Sequence, residues 1–141
     1  MIHCSDWADC HRLCERPMSI DHISAVTFAV ADMARAVAFY QACGFELIYG
    51  GPGADFTSLR AGQGFVNLIL QKDYPPNWWG RAIFRVASAD EQHRQLITAG
   101  LKPDAAPQDA PWGERYFHIT DPDGHELSFA ELLPPRRAAD S

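Results

Sequence analysis

A short pattern occurs twice in this chain at a fixed distance, and this repeat constrains the fold more than any other feature. The letters FAVA at 28–31 return 56 residues later as FRVA at 84–87. A helix-capping residue and a helix-ending glycine recur at the same offset. A strand, the start of a helix and the end of that helix are therefore all repeated with one spacing. The repeated pairs are Phe28 and Phe84, Asp32 and Ser88, and Gly44 and Gly100. We therefore expect two half-domains of one design that enclose a single site.

The sequence of each half predicts a strand, then a helix, then about three strands. In the first half, alternating apolar residues predict a strand over 23–30, and Asp32 begins a helix. In the second half, Ser88 and Glu91 predict a capping box for the corresponding helix. The other predicted strands cover 46–49, 56–60, 65–71, 81–86, 114–120 and 126–132. The fold class is then α+β: two βαβββ repeats form an open, cup-like sheet around one cavity, with the helices on its outer face.

The sequence predicts one domain over 20–132, built from repeats at about 23–71 and 81–132. Residues 1–19 are expected to be a loosely ordered N-terminal extension, and residues 133–141 a disordered tail. No apolar run approaches the roughly 20 residues that cross a bilayer. A net charge of −6 argues against nucleic acid, which needs clustered Lys and Arg. We therefore expect neither a membrane nor a nucleic acid among the partners.

Three of the four cysteines lie within the first fourteen residues. Cys4, Cys10 and Cys14 are close to His3 and His11, but their spacing lacks the paired pattern of a zinc finger. The sequence shows neither a disulfide framework nor a signal peptide. The expected compartment is the reducing cytoplasm.

The repeat and the motifs within it resemble the vicinal oxygen chelate superfamily. That family includes glyoxalases, extradiol dioxygenases, and fosfomycin- and bleomycin-resistance proteins. The resemblance covers about 20–132, nearly the whole chain except its tails. The motifs are VTFAVAD at 26–32, AFY at 38–40 before Gly44 and Phe45, WGE at 112–114 and DPDG at 121–124.

Metal-using members of this family place four ligands, usually His and Glu or Gln, on the cavity faces of four equivalent strands. The resemblance puts these positions on Ala25, Asn67, Arg81 and Ser128. Alanine, arginine and serine are not usual metal ligands, and asparagine is a weak oxygen donor. The resemblance therefore implies a protein without the metal site or another cofactor, closest to the metal-free bleomycin-resistance type.

The hairpin at 121–124 predicts which side chains enter the cavity. A left-handed Gly124 would bring His118 opposite Ser128 on the cavity face. His118 would then serve as a general base, as an off-position metal ligand completed by a glutamate, or only as a hydrogen-bonding group. The predicted inward residues are Glu114, Tyr116, His118, Glu126 and Ser128, and the catalytic candidates among them are His118, Glu114 and Tyr116.

Three tryptophans are candidate ligand contacts. In bleomycin-resistance relatives a Trp in a matching Trp-Gly position stacks on flat rings, and the resemblance implies that role for Trp112; packing against the core is the alternative. Trp78 and Trp79 lie in a Pro-flanked loop between the halves. They predict a lid or a dimer contact, unless one of them packs in the core.

Two arginines fall on the predicted cavity face of the strand over 81–86. Arg81 and Arg85 would bind a carboxylate or phosphate of a ligand, or would close the pocket by pairing with Glu114 or Glu126. Asn67 adds a polar side chain from the first half.

The leading prediction is a small-molecule binding protein for a flat or aromatic ligand, with antibiotics among the candidates. The alternative is a metal-dependent, glyoxalase- or dioxygenase-like enzyme with displaced ligands such as His118 and Glu126, so enzymatic activity stays open. A third possibility is an accessory protein whose cavity has lost its role. A homodimer is expected, because relatives commonly pair their modules across a subunit interface.

Overall fold

The computed structural model describes residues 19–135 and confirms two βαβββ repeats over that range. The elements are β1 Ala25–Val30, α1 Met33–Cys43, β2 Glu46–Tyr49, β3 Phe56–Ala61, β4 Gly64–Leu70, β5 Arg81–Arg85, α2 Ala89–Thr98, β6 Gln108–Ala110, β7 Glu114–Thr120 and β8 Glu126–Leu132. The first strand, predicted over 23–30, begins only at Ala25.

Helix α1 begins and ends where its capping residues predict. The Asp32 carboxylate accepts a hydrogen bond from the Arg35 amide at 3.0 Å. Gly44 ends the helix with a φ of 107°, a left-handed conformation that favours glycine. The helix buries the apolar stripe that its sequence spacing predicts. That stripe consists of Met33, Ala36, Val37 and Tyr40.

Helix α2 forms only half of its predicted capping box. The Ser88 hydroxyl accepts a hydrogen bond from the Glu91 amide at 3.1 Å, as predicted. The Glu91 carboxylate does not reach back to Ser88 but bonds to Arg94 and Gln95 one turn later. The reciprocal bond was wrongly predicted, because a guanidinium offers the carboxylate a charge-assisted bond that a neutral amide does not.

Each half forms a four-stranded sheet, ordered β1-β4-β3-β2 in the first half and β5-β8-β7-β6 in the second. The strands β1 and β4 are parallel, as are β5 and β8. The register corresponds between the halves, with Thr27 opposite Asn67 and Ile83 opposite Ser128. Paired positions of β1 and β4 therefore have counterparts in β5 and β8.

One apolar core joins the two halves on the helix side of the sheets. Phe28 and Tyr40 from the first half, and Phe117 and Phe129 from the second, are each at most 2% exposed. Burial of each such side chain stabilises the fold by about 1.5–3 kcal/mol. Phe84, the repeat partner of Phe28, contacts Phe129 on the same side. Both phenylalanines of the repeat therefore face the helices, as predicted.

Strand β6 lies in the Pro-rich segment 103–111, where the sequence predicts only a loop. It pairs antiparallel with the start of β7, with Ala110 opposite Glu114. Pro107 and Pro111 flank it. Proline lacks a backbone donor and is compatible only with a short edge strand of this kind, which is why composition conceals the strand.

The structure leaves residues 1–18 and 136–141 undescribed. The expected N-terminal extension with its cysteines, and most of the expected disordered tail, therefore lie outside the described residues. At the start of that tail, the Leu133 amide donates a hydrogen bond to the Gly113 carbonyl at 2.9 Å. Among residues 19–135, no helix is both long and apolar enough to cross a membrane.

Candidate functional site

A cavity of about 330 Å³ opens on the face of the second sheet that points away from the core. All of the residues that line it come from the second half of the chain. They are Arg81, Ile83, Trp112, Glu114, Tyr116, His118 and Ser128. Except for Ile83, each is a residue that the sequence proposes as a ligand contact. We call this space the second-sheet cavity.

The register of the last hairpin is confirmed. His118 lies opposite Ser128, while Phe117 pairs with Phe129 and Ile119 with Leu127 on the core face. Because side chains alternate along a strand, Glu114 and Tyr116 share the cavity face with His118. The alternation between a buried apolar face and a polar face is what allows the sequence to predict this arrangement.

Ion pairs hold both arginines of β5. The Arg81 guanidinium lies 3.0 Å from the Glu126 carboxylate, and that of Arg85 lies 3.0 Å from the Glu114 carboxylate. Burial acts to raise the pKa of Glu126, but hydrogen bonds from Trp78 and Arg81 outweigh it, so this pKa lies below its usual value. The charges that enter the cavity wall are therefore paired.

The aromatic side chains of β7 and the preceding turn form a ladder. The rings of Trp112 and Tyr116 are stacked at 6.2 Å with an angle of 21° between them, and Tyr116 lies 5.1 Å from His118. The Trp112 indole donates a hydrogen bond to the Glu114 carboxylate at 2.9 Å, although Trp112 is 70% exposed. Trp112 is thus an oriented aromatic surface at the cavity mouth, not a core anchor.

His118 has one ring nitrogen without a partner. Its Nδ1 atom is buried and makes no hydrogen bond. Burial, together with the nearby positive charge of Arg81, lowers the pKa of His118 below its ordinary value, against the opposing charges of Glu126 and Asp104. The imidazole is therefore neutral at pH 7 and offers a ligand one donor and one acceptor.

In metal-using members of the resembling family, four positions supply the metal ligands. The residues at those four positions in this chain do not suit a metal ion. The Ala25 side chain carries no donor atom, and the Arg81 guanidinium is held by a carboxylate. Asn67 lies on the first sheet, outside the second-sheet cavity, and its amide donates to Thr27 at 3.4 Å. Within residues 19–135, no three His, Cys, Asp or Glu side chains converge as a metal site requires. Of the four positions, Arg81 and Ser128 line the cavity described above.

The two loop tryptophans have different surroundings. Trp78 is exposed, its indole donates to Glu126 at 2.8 Å, and the Arg81 guanidinium lies over its ring at 6.0 Å. Trp79 donates to His125 at 2.6 Å and packs against Phe28 at 5.9 Å. Trp78 therefore borders the face that carries the cavity, while Trp79 is attached to the core.

A buried polar cluster at the turn 121–124 links the halves, and sequence reasoning gave this segment only the role of a reversal. The Asp121 carboxylate accepts hydrogen bonds from the Tyr40 hydroxyl at 2.6 Å and from the amides of Asp123 and His125 at 2.8 and 2.9 Å. Burial raises the pKa of Asp121, in opposition to these hydrogen bonds. Burial and the charge of Asp121 also raise the pKa of Tyr40. We call this set, with the partners named next, the turn network.

The remaining contacts of the turn network reach the end of β1. The Asp123 carboxylate accepts from the Ala31 amide at 2.9 Å and from Arg35 at 3.0 Å. The imidazole of His125 accepts from Trp79 through Nδ1, so its Nε2 donates to the Ala29 carbonyl at 2.7 Å. Two aspartates in one turn between apolar strands were the available sequence signal, because a turn alone needs only one of them.

The fold and the cavity define a class of protein: a duplicated βαβββ chain with a polar and aromatic cavity on one sheet. The profile of the Glyoxalase/Bleomycin resistance protein/Dioxygenase superfamily matches residues 19–129, and the chain belongs to that superfamily. This confirms the resemblance inferred from the repeat. No curated protein matches the chain.

Several solved structures of this fold match the chain over about four fifths of its length and over nearly all of their own. A superfamily member from Sphaerobacter thermophilus is 26% identical with a TM-score of 0.65, over 79% of this chain and 98% of its own. TioX from Micromonospora sp. ML1 is 27% identical with a TM-score of 0.66, over 80% of this chain and 100% of its own. A bleomycin-binding protein in complex with bleomycin is 22% identical with a TM-score of 0.65, over 79% of this chain and 98% of its own.

Proposed function

We propose that the protein binds a small, flat, aromatic molecule in the second-sheet cavity and that it does so without a metal ion. The observation that carries this proposal is the exposed Trp112 stacked on the partly buried Tyr116, beside the neutral imidazole of His118. A ring placed on this ladder would gain about 0.5–1.5 kcal/mol from stacking beyond the area it buries.

The ladder is oriented before any ligand arrives. The hydrogen bond from Trp112 to Glu114 fixes the indole, and Gln108 donates to the Tyr116 hydroxyl at 2.9 Å. Side chains that are already held lose less conformational entropy when a ligand binds. An exposed tryptophan that is held in this way supports a ligand-binding role. It argues against the alternative in which the cavity has lost its role.

The charge pattern favours a neutral ligand with hydrogen-bonding groups. The pairs of Arg81 with Glu126 and Arg85 with Glu114 leave little unpaired charge near the cavity wall. An anionic ligand would have to displace a glutamate from an arginine before it could bind. His118 and Ser128 supply neutral donors and acceptors instead. A heteroaromatic ring with an amide or hydroxyl substituent matches this set.

The similarity to a bleomycin-binding protein supports small-molecule binding and makes antibiotics a reasonable first class to screen. Isothermal titration calorimetry in EDTA should give a one-to-one isotherm with quinoline-3-carboxamide, a neutral two-ring amide. Ni²⁺ and Zn²⁺ titrated separately should give no tight, stoichiometric binding at the cavity. A tight metal whose binding His118→Ala abolishes would contradict the metal-free proposal.

A metal-dependent enzyme with displaced ligands is the second candidate. The unpartnered Nδ1 of His118 and the low pKa of Glu126 favour it, because both groups are in the form that binds a metal. Against it, the Glu126 carboxylate already bonds Trp78 and Arg81, and that of Glu114 bonds Trp112 and Arg85. Metal content that is equal in the parent protein and in Glu126→Gln would remove this candidate.

We further propose that the protein is a homodimer. The first sheet presents an exposed apolar patch formed by Tyr49, Phe56 and Ile69. Exposed apolar patches of this kind commonly mark protein interfaces. Sedimentation equilibrium should show a dimer that Phe56→Asp dissociates, while Ile97→Asp on the exposed side of α2 leaves it intact. A monomeric parent protein would contradict this proposal.

A further inference from the structure

A second cavity lies where the turn network would be expected to repeat. Asp121 bonds His125 across the β7–β8 turn, and the corresponding pair across the β3–β4 turn is Ala61 and Gly64. These small residues cannot build a polar cluster. In their place a cavity of about 330 Å³ separates the β3–β4 turn from the end of β5. We call it the junction cavity, and it lies apart from the second-sheet cavity, with which it shares no lining residue.

The floor of the junction cavity is aromatic. Phe45 and Phe84 meet edge to face at 5.0 Å, and Phe84 lies 5.8 Å from Phe129. Phe45 and Phe84 are only partly buried, so their rings present accessible apolar surface. An aromatic ring of a ligand can pack against such rings in an offset or edge-to-face arrangement.

The rim of the junction cavity is basic. Arg60 from the first half and Arg85 from the second both line it, and no aspartate or glutamate does. The Arg85 guanidinium is held by Glu114 at 3.0 Å, so its charge is already balanced. Arg60 has a looser, exposed ion-pair partner in Glu46 at 3.5 Å, and its guanidinium lies over the Phe65 ring at 5.6 Å. A loosely paired guanidinium beside an apolar floor suits a carboxylate attached to an aromatic ring, since guanidinium binds carboxylate with two parallel hydrogen bonds.

We propose that the junction cavity binds a small aromatic carboxylate, with its ring on Phe45 and Phe84 and its carboxylate on Arg60. The chemistry differs from that of the second-sheet cavity, which Arg60 does not line and where the favoured ligand is neutral. Binding at the junction cavity therefore does not depend on the function proposed above.

Fluorine NMR with 4-(trifluoromethyl)benzoate tests this proposal, with the neutral 4-(trifluoromethyl)benzamide as the matched probe. The benzoate signal should broaden and shift in saturable fashion, and the benzamide should bind more weakly. Arg60→Gln should weaken benzoate binding about fivefold, the scale of one exposed ion pair, and should leave benzamide unchanged. The control Arg94→Gln, an exposed arginine on α2, should affect neither probe.

Two further variants locate the probe. Ala61→Leu, checked for folding by its thermal transition, should abolish benzoate binding because its side chain fills the junction cavity. Trp112→Ala should leave benzoate binding unchanged. Equal binding of benzoate and benzamide, an unaffected Arg60→Gln, or loss of benzoate binding in Trp112→Ala would each overturn the proposal. The last result would place the carboxylate in the second-sheet cavity instead.

Discussion

The two halves of this protein share one backbone plan and differ in what they place on it. At the junction near the β7–β8 turn, Asp121, His125 and Tyr40 form a buried polar network. At the matching junction, the counterparts of Asp121 and His125 are Ala61 and Gly64, and a cavity remains. The two halves have the same backbone fold. At one junction hydrogen bonds link the halves, and at the other junction a cavity separates them.

The outward faces of the two sheets differ in the same manner. Thr27 opposite Asn67 in the first sheet corresponds to Ile83 opposite Ser128 in the second. The second sheet adds His118 beside Ser128, with the aromatic ladder behind it. The halves therefore offer matched positions at which the same kind of substitution should have different effects.

The largest expected effect is on the turn network. Asp121→Ala should lower the free energy of unfolding by about 3 kcal/mol, because it leaves a buried tyrosine hydroxyl and two buried amides without their acceptor. Urea denaturation followed by circular dichroism measures the change. Asp55→Ala, at an exposed aspartate of the first half, should cost less than about 0.5 kcal/mol. Equal losses in the two variants would show that the turn network stabilises the fold no more than an exposed aspartate does.

The next effect is on ligand binding. Trp112→Ala should raise the Kd for quinoline-3-carboxamide about tenfold. That change corresponds to the binding free energy lost with one stacking contact and the apolar area it buries. Trp112→Phe keeps a ring but loses the bond to Glu114, and it should lie between the parent protein and Trp112→Ala. Calorimetry on Asn67→Ala, at the counterpart of Ser128, should show a Kd within about twofold of the parent value. A comparable loss in Asn67→Ala would show that both sheets contribute to the site.

The smallest effect is the pH dependence that His118 adds to stability. Its pKa is lower in the folded protein than the ordinary value of 6.5, so the unfolded chain binds this proton more readily. The stabilisation is present above pH 6.5 and is lost as the pH falls from there towards the folded pKa. The loss cannot exceed about 1.4 kcal/mol per pH unit for one proton.

Urea titrations at pH 7.5 and pH 5.5 measure this contribution as a difference between variants. The parent protein should lose more stability on acidification than His118→Gln, and the other histidines cancel in the comparison. Equal losses of unfolding free energy in the two proteins would show that the pKa of His118 does not differ between the folded and unfolded states.

Local sequence pattern was sufficient for the frame of the molecule. Alternation and capping residues predicted both helices, and the hairpin predicted His118 opposite Ser128, because each of these depends on neighbours along the chain. The alternative in which Arg81 and Arg85 pair with glutamates was also visible, since all four residues fall on one face of the second sheet, on β5, β7 and β8.

What the sequence did not predict depends on contacts between distant segments. The turn network joins Tyr40 to Asp121 and Ala31 to Asp123 across the two halves, which no local pattern can show. The sequence likewise placed Asn67 with Ser128 in one cavity, whereas the lining of the second-sheet cavity comes from the second half alone. The junction cavity arises from small residues at a tertiary contact and has no motif.

The most direct test of the central claim is a map of amide chemical shifts during a titration with quinoline-3-carboxamide in EDTA. The account predicts saturable shifts that are largest in β5, β7 and β8, at residues such as Ile83, Tyr116 and His118, without added metal. Shifts that are largest in β1 and β4, or that occur only after Ni²⁺ or Zn²⁺ is added, would contradict it.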